Sequence, residues 1–246
     1  MIDKIRGYFQ NISPRTLGEK STLKIKTISL LGAGSSNLNY LIHTDKKDFV
    51  FRLNIDKVRK RKTKREFMAL KIIESLRIAP RVYLFDELNK IFAGSILILE
   101  YIPGKSLDKI SNNLSPKIIK TLSRMIARLH SIKVDKNMSD INSEIENIRD
   151  YFREFRDYRK QLAEYIDDDR FFKMFDESST FLFGKFGNLQ FDFIRTLTHG
   201  DVQEQNIIFN KGKLKLIDFE GMSVSDPAIE LAYVFVSFGK IFTHVL

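Results

Sequence analysis

The amino-acid sequence predicts an α+β protein with two lobes, a strand-rich N-terminal lobe and a mainly helical C-terminal lobe. Short apolar runs separated by turn residues fill most of the first hundred positions, which is typical of strands. In the rest of the chain, apolar residues recur at helical spacing. Pro103 and Gly104 interrupt the strand pattern. We therefore expect lobes at residues 1–100 and 106–246, with a hinge at residues 101–105.

The N-terminal lobe is expected to be an antiparallel sheet with one helix. Five runs predict its strands: LKIKTISLL, LNYLIHT, FVFRL, RVYLFDE and GSILILEYI. Between the third and fourth runs lies an apolar repeat at helical spacing, Phe67, Leu70, Ile73 and Leu76. This repeat predicts a helix from about Lys62 to Arg77.

The C-terminal lobe is expected to consist of helices around one small hairpin. Ser115 and Pro116 are of the residue types favoured at a helix start. A long, charged amphipathic helix is expected from Ile141 to Ile166. The segment NIIFN–KGK–LKLID predicts the hairpin, and Asp226 followed by Pro227 predicts the start of a last helix.

Composition excludes several classes of protein. The chain has no cysteine, which rules out disulfides, thiolate metal sites and cysteine nucleophiles. Its N-terminal residues carry charges where a signal peptide has an unbroken apolar core. Glu230, Lys240 and His244 interrupt the apolar C-terminal segment, so a buried helix is expected there and not a membrane span. The sequence therefore predicts a soluble, cytoplasmic protein that has no membrane partner.

A basic run accounts for most of the net charge of +10. Residues Lys57 to Arg65 include seven basic side chains and no acid, and subtracting these seven charges from +10 leaves +3. Such a run is usually a solvated face or a helix start. The alternative is attraction of phosphates, either of a nucleotide or of a nucleic acid.

The segment HGDVQEQNII, residues His199 to Ile208, carries the chemistry. Asp201 comes five residues before Asn206, and the hairpin that follows returns Asp218 close to Asn206 in space. Mg²⁺ prefers oxygen ligands from one or two side chains together with substrate phosphates. We therefore expect Asn206 and Asp218 to hold Mg²⁺. Asp201 is expected to accept a hydroxyl proton and to orient the attacking oxygen.

These motifs carry a resemblance to a known superfamily. HGD-x4-N, followed by ID-F, resembles the catalytic and metal-binding segments of the protein-kinase-like phosphotransferases. SDPAIELA resembles the next segment of the aminoglycoside phosphotransferase and choline kinase superfamily. The resemblance implies a bilobal protein-kinase-like fold, with ATP in the cleft between the lobes. It also implies that Mg²⁺ bridges the ATP phosphates to Asn206 and Asp218.

The resemblance further implies that the turn GAGSSN covers the nucleotide phosphates. Gly32 and Gly34 would allow close backbone approach, and Ser35 and Ser36 would donate to phosphate oxygens. Asn37 stands where a GxGxxG pattern has its third glycine. A plain hairpin turn is an equal alternative for this segment taken alone.

Three other parts of the N-terminal lobe match the superfamily pattern. Arg52 matches the third-strand basic residue that holds the α- and β-phosphates, and its planar fork suits phosphate oxygens. Glu66, at the start of the helix, is expected to orient Arg52. The alternative for this pair is a surface arginine and a surface glutamate. Backbone groups near Glu100 and Ile102 are expected to bind adenine.

Residues beside the catalytic loop are expected to support it. The resemblance implies that His199 braces the loop by hydrogen bonds, and that Asp226 and Glu230 anchor the last helix to it. Glu220 replaces the glycine of the Asp-Phe-Gly motif of protein kinases. Glu220 either contacts the metal or the substrate, or it shapes the turn, and the sequence favours neither.

The acceptor is expected to be a hydroxyl of a small polar molecule, bound by the insert from Lys133 to Arg195. An amino alcohol such as choline or ethanolamine ranks first, a sugar or thiamine-like alcohol second, and an aminoglycoside third. The insert holds an acidic run, Asp167 to Asp169, and aromatic residues that suit a cation. These aromatic residues are Tyr151, Phe152, Phe155, Tyr158, Phe171 and Phe172. At helical spacing the same residues are also typical of a helical core.

Two other functions are considered. A small atypical protein kinase could also use an HGD loop, but the long insert favours a small-molecule acceptor. A non-catalytic nucleic-acid-binding module would use the basic run at residues 57–65, but the intact Asp201, Asn206 and Asp218 set favours an enzyme. Members of the superfamily commonly continue with further helices beyond the point that corresponds to Leu246. Either a minimal C-terminal lobe or a truncated acceptor pocket is therefore expected.

Overall fold

The structure is a computed structural model that describes residues 1–34, 37–55, 60–110, 115–135, 138, 141, 148–187 and 194–238. Five strands of the N-terminal lobe form one antiparallel sheet in the spatial order β1-β2-β3-β5-β4. They are β1 (Ile25–Ala33), β2 (Asn37–Thr44), β3 (Asp48–Asn54), β4 (Val82–Asp86) and β5 (Ile96–Glu100). The expectation of a five-stranded antiparallel sheet is confirmed.

The sheet is covered on both faces at β5, which explains why the sequence of this strand is apolar at successive positions. Ile96 and Ile98 pack into a cluster on one face, whereas Leu97 and Leu99 pack into a second cluster on the other face. Successive side chains of a strand point to opposite faces, so a strand that is covered on both sides needs apolar residues throughout. This covering places the sheet between two layers of helix.

One of these layers is a helix that the sequence analysis did not predict, α1 (Ile2–Gln10). Ile5 and Phe9 are one helical turn apart, and both are buried against the sheet. The Tyr8 hydroxyl donates to Asp86 at the edge strand β4, at 2.5 Å. A helix this short gains most of its stability from tertiary packing and little from propensity, so its sequence carries a weak signal.

The opposite layer contains the expected helix, α2 (Lys60–Ile72), followed by a short 3₁₀ turn at Glu74–Leu76. Ala69, Leu70 and Ile73 are buried at the start of a core that continues into the C-terminal lobe. The helix therefore starts slightly earlier than expected, and its regular part ends before Arg77. Arg77 itself adopts a left-handed conformation that closes the turn, with φ of 55°.

The C-terminal lobe contains four further helices among the described residues: α3 (Pro116–His130), α4 (Ile148–Leu162), α5 (Asp169–Phe186) and α6 (Pro227–Ser237). Pro116 is in the first turn of α3, as expected, but the Ser115 side chain makes no capping hydrogen bond. The helix expected from Ile141 to Ile166 is shorter, because α4 ends at Leu162 and a turn leads into α5. Within the described part of the chain, no helix combines the length and the apolar character needed to cross a membrane.

Helices α4 and α5 lie side by side through aromatic contacts. Phe155 stacks on Phe175 with ring centroids 4.4 Å apart, and Phe152 meets Phe183 edge-on at 5.1 Å. Asp168, in the acidic run, caps α5 by accepting hydrogen bonds from two backbone N–H groups. These aromatic and acidic residues therefore have structural contacts of their own.

Five short strands in two small sheets flank the catalytic loop. A three-stranded sheet has the order β6-β8-β9, with β6 (Lys105–Ser106), β8 (Ile207–Asn210) and β9 (Lys213–Leu216). A second pair joins β7 (Thr196–Thr198) to β10 (Ser223–Ser225). The strands β8 and β9 form the expected hairpin, with Ile207 opposite Leu216 and Asn210 opposite Lys213.

Some expectations fall on positions outside the described residues. They concern Ser35, Ser36, the basic run at 57–59, the expected helix at 142–147, and the C-terminal segment at 239–246. The side chains of residues 60–62 and of Tyr151 also lie outside the description.

Candidate active site

The catalytic loop follows β7 and leads through a short 3₁₀ turn at Glu204–Asn206 into β8. Gly200 has a φ of +79°, and a Cβ built on it would lie 2.3 Å from the carbonyl oxygen of Gly221. Only glycine fits both the left-handed backbone and this close approach. The packing of Gly200 on Gly221 holds the catalytic loop against the turn that follows Asp218.

Asp201 and Asn206 are joined across the loop. The Asn206 amide nitrogen donates to Asp201 Oδ2 at 2.7 Å and to the Asp201 carbonyl at 3.0 Å. The Gln203 side-chain amide donates to the same Oδ2 atom at 3.0 Å. Because the Asn206 nitrogen makes these bonds, its carboxamide oxygen is left as a potential metal ligand.

The hairpin brings Asp218 to the same place. Ile217 N–H donates to the Asn206 carbonyl at 2.9 Å, which sets Asp218 beside the catalytic loop. Asp218 has a φ of 66°, a left-handed conformation that is uncommon for a residue with a side chain. Its Oδ1 atom is buried and, among the described residues, has no hydrogen-bond partner.

The surroundings of Asp218 fit a cation. Burial raises the pKa of Asp218, the positive charge of Arg52 opposes this rise, and the nearby Glu220 adds to it. A buried carboxylate oxygen without a hydrogen bond costs free energy unless a cation compensates it. Together with the Asn206 carboxamide oxygen, Asp218 provides two hard oxygen ligands, which is what Mg²⁺ takes from a protein when phosphates supply the rest. Among the described residues, no group of three or more His, Cys, Asp or Glu side chains is arranged to hold a metal ion.

Arg52 on β3 and Glu66 on α2 form a buried ion pair. Arg52 Nη1 lies 2.6 Å from both carboxylate oxygens of Glu66, and Nε donates to Asn39 Oδ1 at 2.9 Å. Burial disfavours the charge on Arg52, but the carboxylates of Glu66 and Asp218 outweigh it and raise the pKa of Arg52. Asn39 lies opposite Arg52 in the β2–β3 register, and the sequence analysis missed it because cross-strand partners depend on that register.

His199 is buried in the loop and bonded on both ring nitrogens. Its Nδ1 accepts the backbone N–H of Asp201 at 3.2 Å, so Nε2 carries the proton and donates to the Ile217 carbonyl at 3.1 Å. Burial lowers the pKa of His199, and the nearby Glu230 opposes this. A neutral ring held in this way connects the catalytic loop to the segment that follows β9.

Glu230 ties the last helix to the catalytic loop, whereas Asp226 ties it to the segment before β7. Glu230 is buried and accepts the backbone N–H groups of His199 and Gly200, the latter at 2.9 Å. Its other oxygen lies 2.6 Å from His130 Nε2 on α3. Asp226 caps α6 by accepting the Ala228 N–H at 2.8 Å, and it also accepts the Ile194 N–H at 3.1 Å.

A cavity of about 460 Å³ lies between the two lobes, and the charged residues Arg52, Glu66 and Asp218 are among those that line it. Its walls are mainly apolar, with Leu31, Val50, Leu70, Leu99, Ile208 and Phe219 among the lining residues. Six residues expected from the sequence also line it: Gly32, Arg52, Glu66, Glu100, Ile102 and Asp218. Gly34 is not a lining residue, and its N–H closes the β1–β2 turn by donating to the Asn37 carbonyl at 2.9 Å. The apolar lining residues could not be predicted from the sequence, because they come from both lobes and meet only in the folded protein.

The hinge shows one unexpected hydrogen bond. Glu100 N–H donates to the Arg81 carbonyl at 2.8 Å, but Arg81 N–H donates to the Glu100 side chain at 3.0 Å. In a regular antiparallel pair the two residues exchange both backbone bonds. Here the Glu100 side chain replaces its own carbonyl as the acceptor of the Arg81 N–H.

A two-lobed fold with an apolar cleft, a buried arginine–glutamate pair, and a loop and hairpin that bring together two aspartates and an asparagine defines the class of kinase-like phosphotransferases. The sequence profile of the phosphotransferase enzyme family matches residues 27–245. The chain belongs to that family and is a phosphotransferase.

Solved structures with the same fold come from aminoglycoside phosphotransferases. A complex of APH(2″)-IIa with streptomycin and ATP superposes with a TM-score of 0.68 at 17% identity, over 99% of this chain and 82% of that chain. APH(4)-Ia in a ternary complex with AMP-PNP and hygromycin B gives 0.72 at 14% identity, over 94% and 81%. An APH(2″) complex with GDP and kanamycin gives 0.71 at 16% identity, over 98% and 81%. No curated protein matches the sequence. At these identities the similarity confirms the protein-kinase-like fold.

Proposed function

We propose that this enzyme transfers the γ-phosphoryl group of ATP to a hydroxyl of a small polar molecule. The observation that carries the proposal is the convergence of Asp201, Asn206 and Asp218, of which Asp218 lines the interlobe cleft. Arg52 also lines the cleft, and its Nη1 atom lies 3.7 Å from Asp218 Oδ1. Phosphoryl transfer needs positioning and charge neutralisation more than covalent chemistry, and these four side chains supply both.

The apolar part of the cleft suits a nucleotide base. Leu99 and Ile208 are among the apolar residues that would contact the two faces of adenine. The Glu100 carbonyl is left unused by Arg81, so it would accept from the adenine amino group, and the Ile102 N–H would donate to the ring. An apolar slot with a few convergent polar groups is the usual form of a cofactor site.

The phosphates would lie toward Arg52. Its guanidinium is held by Glu66 and Asn39, which leaves its charge directed to the cleft without further ordering on binding. Asn206 and Asp218 would hold Mg²⁺, which neutralises phosphate charge when bound. Glu220 raises the pKa of Asp218 and is therefore near the metal side, where it would either bind the ion or shape the turn.

Asp201 would orient the acceptor. The acceptor oxygen forms a bond to the γ-phosphorus, the bond to the bridging oxygen of ADP breaks, and the hydroxyl proton passes to the Asp201 carboxylate. The amide groups of Gln203 and Asn206 hold that carboxylate in place through Oδ2. Oδ1 is then the carboxylate oxygen that would accept a hydrogen bond from the hydroxyl of the acceptor.

The acceptor class is proposed as an amine-bearing alcohol, either an amino alcohol or an aminoglycoside. The preference for choline or ethanolamine loses support, because Phe152, Phe155 and Phe172 contact other side chains of α4 and α5 and do not form an open cage. The structural neighbours include complexes with kanamycin, streptomycin and hygromycin B, which supports testing aminoglycosides at equal rank. A sugar or thiamine-like alcohol ranks after them.

The test is ADP release from Mg·ATP over a panel of choline, ethanolamine, kanamycin, streptomycin, thiamine, sugars and homoserine. Acceptor-dependent release that disappears in Asp201→Asn supports the proposal. A casein-like protein in the same panel tests the protein-kinase alternative. Salt-sensitive nucleic-acid binding without any binding of Mg·ATP would contradict the proposal and favour a nucleic-acid-binding module.

A further inference from the structure

The two carboxylate oxygens of Asp201 have different partners. Oδ2 accepts hydrogen bonds from the amides of Asn206 at 2.7 Å and Gln203 at 3.0 Å. Oδ1 accepts the hydroxyl of Tyr233, on α6, at 2.7 Å. A carboxylate that acts on an acceptor hydroxyl needs an oxygen at hydrogen-bond distance from it. Because two donors already bind Oδ2, the acceptor must use Oδ1.

The Tyr233 phenol makes the hydrogen bond that an acceptor hydroxyl would make. Its hydrogen bond to Asp201 raises the pKa of Tyr233, so the phenol stays protonated and remains a donor at neutral pH. The hydroxyl of Tyr233 is therefore directed at the Asp201 carboxylate.

The Tyr233 ring can leave this position while its helix stays in place. Tyr233 is 39% exposed, so one side of the ring faces solvent. The helix itself is attached to the catalytic loop through the buried Glu230, which binds the backbone of His199 and Gly200. A rotation of one exposed side chain would open Oδ1 without disturbing these contacts.

We propose that Tyr233 is a positioning residue that holds the place of the acceptor hydroxyl on Asp201 and is displaced when the acceptor binds. The proposal rests on the proposed phosphotransferase function. It locates the reacting end of the acceptor site between the catalytic loop and α6. It also assigns a second role to Tyr233, because water is a competing acceptor for the γ-phosphoryl group.

In the acceptor-free enzyme, Tyr233 blocks the oxygen that would activate water. Without the phenol, a water molecule would bind Oδ1 in its place. Its oxygen would form a bond to the γ-phosphorus, the bond to ADP would break, and the proton would pass to Asp201. The hydroxyl of Tyr233 thus suppresses wasteful hydrolysis of ATP.

The experiment compares wild type with Tyr233→Phe, which removes the hydroxyl and keeps the ring. Phosphate release from Mg·ATP is measured without any acceptor, so the acceptor need not be known. The variant is expected to hydrolyse ATP at least about tenfold faster than wild type, as expected for loss of one competing hydrogen bond to a charged group. Tyr165→Phe is the matched control, because it also removes one phenol hydroxyl and Tyr165 is 84% exposed.

Asp201→Asn in the Tyr233→Phe background should return hydrolysis to the background rate. A purely structural role for Tyr233 would lower or preserve the rate, so a rate at or below that of wild type overturns the proposal. Calorimetric titration of Mg·ATP into both proteins distinguishes a failure of the role of Tyr233 from a failure of the proposed function. If the variant binds Mg·ATP as wild type does and still shows no increase, only the role of Tyr233 fails. If wild type does not bind Mg·ATP, the proposed function fails.

Discussion

The Nη1 atom of Arg52 lies 2.6 Å from both carboxylate oxygens of Glu66, in a pair that is almost fully buried. This pair connects the central strand β3 to the helix α2, and it turns the guanidinium toward Asp218. A buried ion pair contributes little net stability, but removal of one partner leaves an uncompensated charge. The pair is therefore better understood as a device that orients Arg52 than as a source of stability.

Glu66→Gln is expected to weaken binding of Mg·ATP about tenfold and to destabilise the fold by about 3 kcal/mol, because Arg52 would stay buried without its counter-charge. Calorimetric titration and thermal unfolding measure the two effects. Asp176→Asn is the control, because Asp176 accepts two hydrogen bonds from Arg159 in an exposed pair between α4 and α5. Unchanged Mg·ATP binding in Glu66→Gln would contradict the orienting role, and an equal loss of stability in both variants would contradict the cost of an uncompensated buried charge.

Asp201→Asn is expected to reduce phosphoryl transfer by at least about a thousandfold while Mg·ATP binding changes less than about threefold, because Asp201 addresses the acceptor and not the nucleotide. Single-turnover kinetics with the best acceptor and calorimetric titration supply the two numbers. Retention of a substantial part of the rate would show that another group takes the proton.

Asp218→Asn is expected to abolish Mg²⁺-dependent nucleotide binding, because the metal would lose its charged protein ligand. Titration of ATP with and without Mg²⁺ is the measurement. Unchanged affinity would show that another residue binds the metal, and Glu220 is the first candidate.

The same substitution is expected to leave the nucleotide-free protein as stable as wild type or slightly more stable at neutral pH. The folded-state pKa of Asp218 is raised, mainly by burial, so the folded state binds a proton more readily than the unfolded chain. By linkage, its contribution to stability falls as the pH rises from the unfolded-state pKa through the raised folded-state pKa. Thermal unfolding of both proteins across this pH range measures this loss of stability. The Tm of Asp218→Asn minus that of wild type should grow as the pH rises, and a difference that shrinks would contradict the prediction.

Gly200→Ala is expected to destabilise the protein by about 3 kcal/mol or more, because the added Cβ would combine left-handed backbone strain with a clash against Gly221. Gly212→Ala is the matched control. Gly212 also has a positive φ, +83°, but nothing lies within 4 Å of its Cβ position. The control should lose about 1 kcal/mol from strain alone, and equal losses in the two variants would show that the contact with Gly221 is unimportant.

The arrangement of Asp201, Asn206 and Asp218 could be predicted from sequence because the relevant distances are short along the chain. Asp201 and Asn206 belong to one loop, and a tight hairpin necessarily returns its second strand to the start of the first. Short distances along the chain also explain why the helix cap at Asp226 and the strands with alternating or continuous apolar residues could be predicted. Each of these features depends on neighbours within about twenty residues.

By itself, then, the sequence determined the two-lobed α+β architecture, the five-stranded sheet, the catalytic hairpin and the phosphotransferase family. Only the tertiary structure decided the features that need contacts between distant segments. These are the docking of α1 on the sheet, the pairing of α4 with α5, the Asn39 bond to Arg52, and the Tyr233 bond to Asp201. The physical reason is that periodicity reports which face of an element is buried, whereas the partner on that face depends on how all the elements pack together.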